Sequence, residues 1–582
     1  MKNAKRLCSS ILFAVSPPRP RLRLPLLFVT VAMWLLLLSA RNVAFAGSAT
    51  WRHSPPQRQW QVATSWTPET VPNGPNDTAT FTVSISDPSI FGVDIEVNGI
   101  VFDPGASDFT INVVPNTQQA ASLTFSGAGI ANNSGITQDF TLYTDGYTNG
   151  TISFTNSATA GSLTTFFNYG GYNSANGAVT QFFESSTAGG GIFTNLGGIN
   201  LSSGTTQFFD NSTAANGTFT NYGNVLGGTT QFFDNSTAAN GSFTNAGSGA
   251  PLKGYVGGNT FFYDFSTAGN GTFINNGGTA RGALGGVTIF SGTSTAANAT
   301  LIANGGSGEG GGGSIEFLSD SSGGTARVEV FGNGNLDVSF HSTAGVTVGS
   351  IEGDGLVFLG RKNLTVGSND LSTNFSGVIS DHQGVNGRGG SLTKIGTGKL
   401  VLSHRNTYTG GTIVKRGRLV VNNIGGSGTG SGPVEVNGGR LAGNGTIAGA
   451  VTVGSGLGRE AVLSPGYHHS HNPGTLTIQS PLIFNSDATY EIEANSSSET
   501  VDKVVALGVT INAGAQTLFA DLGSGTFTVG SFFTVIDNTS ATPIAGTFSN
   551  LPDGSTFTNN GNTYEVNYEG GDGNDLTLTV VP

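Results

Sequence analysis

The stretch TTQFFDNSTAANGTFTNYG, beginning at Thr205, returns almost unchanged as TTQFFDNSTAANGSFTNAG at Thr229, 24 residues later. One unit of that length has too few apolar side chains to bury a face of its own, so copies must stack, each serving as the template for the next. Looser copies register on a Ser-Thr-Ala triplet that begins at Ser186, Ser212, Ser236, Ser266 and Ser294, with a weaker echo at Ser342. Their spacings are 26, 24, 30 and 28 residues. Seven positions after each start stand Phe193, Phe219, Phe243, Phe273 and then Leu301; nine positions after stand Asn195, Asn221, Asn245 and Asn275. Upstream lie the aromatic pairs Phe182-Phe183, Phe208-Phe209, Phe232-Phe233 and Phe262-Tyr263.

The segments between Gly-rich turns are too short for helices and hold β-branched or aromatic residues, so each repeat is expected to be one coil of two or three short strands. Composition agrees: 91 glycines, 38 phenylalanines and only 10% charged residues in 582, against roughly 25% charged in ordinary globular domains. Coils stacked about 4.8 Å apart place Phe on Phe and Asn on Asn. Each inward Phe then contributes roughly 1.5–3 kcal/mol by burial. For the Asn column a partial amide ladder is expected, with simple turn propensity as the alternative.

Five regions are expected. Residues 1–46 form a leader: Lys2, Lys5, Arg6, Arg19, Arg21 and Arg23 precede the apolar run Leu24–Ala40, and Ala44-Phe45-Ala46 makes a small-x-small cleavage signal before Gly47. A cleaved signal peptide is the preferred reading, an uncleaved anchor the alternative. Residues 47–125 hold the two tryptophans of WQVATSW and suit an N-terminal cap, 126–345 the Ser-Thr-Ala repeats, 346–480 a second vocabulary, and 481–582 a β-rich C-terminal region. The leader holds seven of the 24 Lys+Arg and no acid, leaving 17 basic against 36 acidic residues and a net charge of −19. That balance disfavours nucleic acid and anionic lipid as partners. Cys8 and both methionines also lie in the leader. The exported remainder must therefore be held by packing and hydrogen bonds rather than disulfides.

Within the second vocabulary, GSLTKIGTGKLVLSHRNTYTGGTIVKRGRLVVNN (Gly390 to Asn423) closely resembles the autotransporter-associated β-strand repeat, also called the passenger-associated transport repeat. The resemblance rests on Leu392-Thr393-Lys394, Gly396-Thr397-Gly398, Leu400 to Leu402, Asn406 to Thr412 and Gly417 to Leu419. It implies an exported passenger folded as a right-handed parallel β-helix. The tail after Leu476 lacks the long alternating pattern of a membrane barrel, so the chain reads as a passenger without its own translocator. Its ending, DLTLTVVP, resembles the approach to a PEP-type C-terminal sorting signal.

Three features could carry chemistry. GGDGNDLTL (Gly570 to Leu578) fits much of a calcium-binding nonapeptide, but such sites are shared between consecutive copies and this copy is single, so a hairpin turn is preferred. His468, His469 and His471 cluster without the carboxylates or cysteines that would close a metal site, and read as a solvated loop. Glu184, Asp210, Asp234 and Asp264 stand two residues before successive Ser-Thr-Ala triplets, with Gly292 in the fifth copy. This acidic column is read first as a solvated stripe, next as a weak cation column, and last as a glycosidase-like carboxylate pair, because no basic or aromatic sugar platform is expected to recur beside it.

The expected protein is an exported structural or adhesive all-β solenoid at the cell surface or outside the cell, not an enzyme. A carbohydrate-active β-helix enzyme is the alternative. No catalytic, cofactor-binding or metal residue is assigned and no cofactor is expected. The expected partners are surface glycans, extracellular matrix or other cells; membrane contact is expected only through the leader or a missing C-terminal anchor.

Overall fold

The computed structural model describes residues 47–582 apart from 118, 174–175, 200–201, 250–254, 382–386, 459 and 467–472. The leader and the three-histidine loop lie outside the described residues. The described chain is all-β apart from the 3-10 turn Ala63–Ser65, and it is a parallel β-solenoid with a small antiparallel region at the C-terminal end.

One coil explains the period. Thr205–Phe208 pairs in parallel with Val179–Phe182 before it and Thr229–Phe232 after it, like residue on like residue. The chain turns at the Ser-Thr-Ala triplet, where each residue has its own task. Ser212 is buried and its Oγ donates to the Phe209 carbonyl at 2.7 Å, closing the turn. Thr213 makes single bridges to Thr187 and Thr237 in the adjacent coils. Ala214 points into the interior, buried, at a corner. Thr218–Asn221 then runs in a second sheet between Gly190–Asn195 and Ser242–Asn245, and a Gly-rich turn returns the chain to the first sheet.

The first sheet runs from Trp66–Thr67 to Val378–Ser380 without a break. Strands of the second pair successively from Ser89–Phe91 to Gln516–Asp521. Ser342 is not in register with the triplets: Thr295 bridges Ser322, so the next coil's triplet begins at Ser321, while Ser342 follows His341, which bridges Ser319. Coils of unequal length displaced that echo. From Gly345–Val348 onward the single-residue corner is replaced by a third sheet of eight strands, ending at Val509–Ile511.

Two columns of phenylalanine fill the interior. Phe125, Phe154, Phe182, Phe208, Phe232, Phe262 and Phe290 stack face to face with centroids 4.7–4.8 Å apart. Phe166, Phe193, Phe219, Phe243 and Phe273 do the same at 4.6–4.8 Å. The columns meet edge to face, as at Phe208–Phe219, 5.7 Å and 76°, the geometry that aromatic quadrupoles favour.

The Asn column is a buried ladder. Nδ2 of Asn168 donates to Oδ1 of Asn195, and so on through Asn221, Asn245 and Asn275, each bond 2.8 Å. Each Oδ1 also accepts from a threonine across the coil, for example Thr230 Oγ1 to Asn221 at 3.0 Å. Ala303 takes the position after Asn275, so Nδ2 of Asn275 has no partner and the ladder stops.

Both ends are closed. Trp51, Trp60 and Trp66 are buried, with Trp60 and Trp66 edge to face at 4.8 Å, and Trp66–Thr67 adds an antiparallel strand to the stack's open edge. A strand added in this way pairs backbone groups that an edge would otherwise leave open. At the other end Phe532–Asn538, Asp575–Val581, Asn562–Gly570 and Thr556–Asn559 form an antiparallel meander.

Candidate binding surface

The acidic column sits on left-handed backbone. Glu184, Asp210, Asp234 and Asp264 have φ of 56°, 53°, 52° and 51°, a conformation that short polar side chains tolerate better than others. Each carboxylate accepts a hydrogen bond from the backbone N–H at the same place one coil earlier. Glu184 N–H donates to Asp210 at 2.9 Å, Asp210 N–H to Asp234 at 3.1 Å and Asp234 N–H to Asp264 at 3.2 Å; Asn156 N–H donates to Glu184. These are exposed groups with a structural duty, supplying the acceptor that a turning strand lacks.

An aromatic column stands beside the acids. The second member of each pair faces outward, half-buried, and Phe183, Phe209, Phe233 and Tyr263 stack at 4.9, 4.9 and 5.0 Å. Within the column the rings turn their faces to one another and leave edges to the solvent, so it is no platform for a sugar ring. The nonapeptide-like segment forms the hairpin turn between Asn562–Gly570 and Asp575–Val581, with Gly571 and Gly573 at φ of 62° and 109°. Among the described residues no group of three or more His, Cys, Asp or Glu is placed to hold a metal ion, and no helix is long and apolar enough to cross a membrane.

The resemblance motif is a corner held by buried polar groups. Lys394 is buried, and its Nζ donates to the carbonyls of Ile395 and Gly396, closing the Gly396-Thr397-Gly398 turn. Burial pushes its ammonium down to about 8, opposed by Asp370. Gly396 has φ of 67°, and a Cβ there would meet the Gly367 carbonyl at 1.9 Å. Asn406 ties three coils together: its Oδ1 accepts from Ile379 N–H at 2.7 Å and its Nδ2 donates to Gly428 O at 2.6 Å. Tyr408 is buried and shares a 2.6 Å hydrogen bond with Thr412 Oγ1.

Two charged groups escaped the sequence reading. Arg440 forms a largely buried ion pair with Glu491. Asp502, buried, accepts from Gly474 N–H at 2.7 Å and Glu493 N–H at 3.0 Å; burial pushes its carboxyl up to about 7, with Glu493 adding to the shift. A polar cleft of about 490 Å³ is lined by Ser372, Thr397, Lys399, Gly417, Arg418 and Arg440. These cations lie 19 and 22 residues apart in sequence, too irregular to show as a column, yet they are in register.

The model of the passenger-associated transport repeat matches residues 392–421. An extracellular serine protease of Serratia marcescens is 34% identical over 131 residues, 22% of this chain and 11% of that protein. The adhesin BmaC autotransporter of Brucella suis biovar 1 (strain 1330) is 38% identical over 110 residues, 18% of this chain and 3% of that protein. The chain thus spans a small part of the length of either relative. The crystal structure of the Haemophilus influenzae Hap adhesin aligns over 87% of this chain and 59% of that one, at 13% identity and a TM-score of 0.25. Residues 392–421 supply Lys399–Leu402 and Arg418–Val421 to the second sheet and Thr412–Val414 to the third, so the chain carries a passenger-associated transport repeat built into the body of a parallel β-solenoid.

Proposed function

We propose that this chain is an exported structural or adhesive protein, displayed at the cell surface or released outside the cell, and not an enzyme. The observation that carries the reading is the passenger repeat set in a regular stack whose column of carboxylates is already committed to backbone N–H groups. A glycosidase needs two carboxyls free to meet a scissile bond, and the acids at Glu184, Asp210, Asp234 and Asp264 are engaged in the turns. Similarity to a segment of a protein named as an adhesin autotransporter supports the same reading. Surface glycans, matrix or other cells are the proposed partners. The proposed division is a leader at 1–46, a cap at 47–125, repeats at 126–345 and 346–480, and a closing region at 481–582.

The test has two parts. Protease treatment of intact producing cells should remove the protein, and N-terminal sequencing of exported material should begin at Gly47. Beads coated with the exported protein should attach to cells or matrix more than albumin-coated beads. Protection from the protease together with a retained leader, or equal attachment, defeats the proposal. Release of new reducing ends from polysaccharide would favour the enzyme alternative.

A further inference from the structure

The solenoid is acidic, yet one place on its outer face gathers cations. Ser372 Oγ accepts from Lys399 N–H at 3.0 Å, Lys399 pairs with Arg418, and Arg418 with Arg440, so the three cations stand one per coil in a single column. All three side chains are half-buried. On their strands the next residue points inward, Leu400, Leu419 and Leu441, and the one beyond is the apolar column Val401, Val420 and Ala442. No acid lines the cleft.

The neighbouring acids lie at its margins. Asp370 accepts from Thr397 N–H at 2.6 Å. Glu491 holds Arg440, with Glu460 and Glu493 also acting on that guanidinium. Arg440 is thereby anchored, whereas neither Lys399 nor Arg418 has a carboxylate within ion-pair distance among the described residues. Like charges opposite one another in adjacent strands destabilise a sheet, and in a chain with 36 acidic residues against 24 basic ones a compensating carboxylate would be easy to place. Burial and the adjacent Arg418 both push the Arg440 guanidinium down, to about 10, against the pull of Glu493 and Glu460.

We propose that the Lys399–Arg418–Arg440 cleft binds an acidic polysaccharide through its carboxylates or sulfates. This rests on the adhesive reading above and names the ligand class for it. Arg forks match carboxylate and sulfate oxygens bidentately, and a cation per coil suits a polymer bearing charges at intervals along an extended chain. Nucleic acid fits less well, since no aromatic side chain lines the cleft to stack a base.

Affinity electrophoresis of the exported full-length protein tests this, with gels containing polygalacturonate, heparin, dextran or a dT20 oligonucleotide. A protein of net negative charge should not cling to a polyanion except through a local cationic site. Retardation by polygalacturonate or heparin, none by dextran, and weakening as NaCl is raised are expected. Lys399→Ser combined with Arg418→Ser should raise the apparent Kd tenfold or more, and Arg418→Lys should retain part of the binding. Lys415→Ser, on an exposed cation outside the cleft, should leave it unchanged. A circular dichroism melt matching the parent shows that the double variant is folded; should it not match, Arg418→Gln alone must produce the same loss. No retardation by either acidic polysaccharide, or equal retardation of the variants, overturns the proposal, and equal retardation by dT20 overturns the ligand class. If bead attachment persists while retardation fails, this site is wrong and the adhesive reading stands; if both fail, both fall.

Discussion

The asparagine ladder gives a prediction with its own control. Asn221 and Asn275 are both fully buried, and each changed to Ala would leave a cavity of the same size. Their hydrogen bonding differs. Asn221 donates to Asn245 Oδ1 at 2.8 Å and to Asn259 O at 2.9 Å, and accepts from Asn195 Nδ2 at 2.8 Å and Thr230 Oγ1 at 3.0 Å. Asn275 accepts from Asn245 Nδ2 at 2.8 Å and Thr288 Oγ1 at 2.9 Å, while its own Nδ2 is unpartnered. Two further bonds are therefore lost at Asn221, each contributing about 0.5–1.5 kcal/mol net. Asn221→Ala should cost about 1–3 kcal/mol more than Asn275→Ala, which also removes a buried orphan donor. A long repeat array need not melt in one step, so the readout is local: hydrogen exchange by mass spectrometry over Thr218–Asn221 and Thr272–Asn275. Exchange should accelerate about fivefold or more further at the first site than at the second. Equal acceleration at the two sites would refute the claim that the ladder, rather than side-chain volume, stabilises these coils.

Phe219→Asp should unfold the surrounding coils, since it empties a site between Phe193 and Phe243 and buries a charge; a melting temperature equal to that of the exposed control Thr218→Asp would contradict this. The triple change Asp210→Asn, Asp234→Asn, Asp264→Asn should be neutral or slightly stabilising at low salt, because an amide oxygen still accepts the neighbouring N–H and like-charge repulsion is relieved. The corresponding triple Ala variant should lose about 1 kcal/mol or more per site, through the lost acceptor and the left-handed backbone; equal melts of the two variants, or calcium stabilisation of the parent, would sink the turn-cap role. Asp502 makes a pH prediction. Its folded pKa of about 7 lies above the ordinary carboxylate value of about 4, so the folded state keeps a proton that the unfolded state releases. Its contribution is full below about pH 4 and is lost as pH rises through about 7, on the order of a few kcal/mol. Denaturation midpoints should fall over that window, and Asp502→Asn should flatten the slope; parallel profiles would refute the assignment.

Much of the axis of this molecule was legible in the chain. In a parallel stack the nearest neighbour of a side chain is its own counterpart one period away, so recurrence at Phe219, Asn221 and Ser212 reports contacts directly. Recurrence says nothing about direction across the coil. Phe208 and Phe209 recur equally, yet only the backbone path decides that the first faces the core and the second the solvent. Nor does it say what a recurring acid touches: Asp210 looks like a solvated stripe until the left-handed turn brings its carboxylate onto the Glu184 amide. Where coils differ in length and no longer share a recurring triplet, the register is lost, which is why Ser342 misled and why Lys399, Arg418 and Arg440 showed no pattern. The sequence alone determined what stacks on what; the tertiary structure decided which face each column presents, because that depends on turn lengths and backbone register, which repetition does not encode.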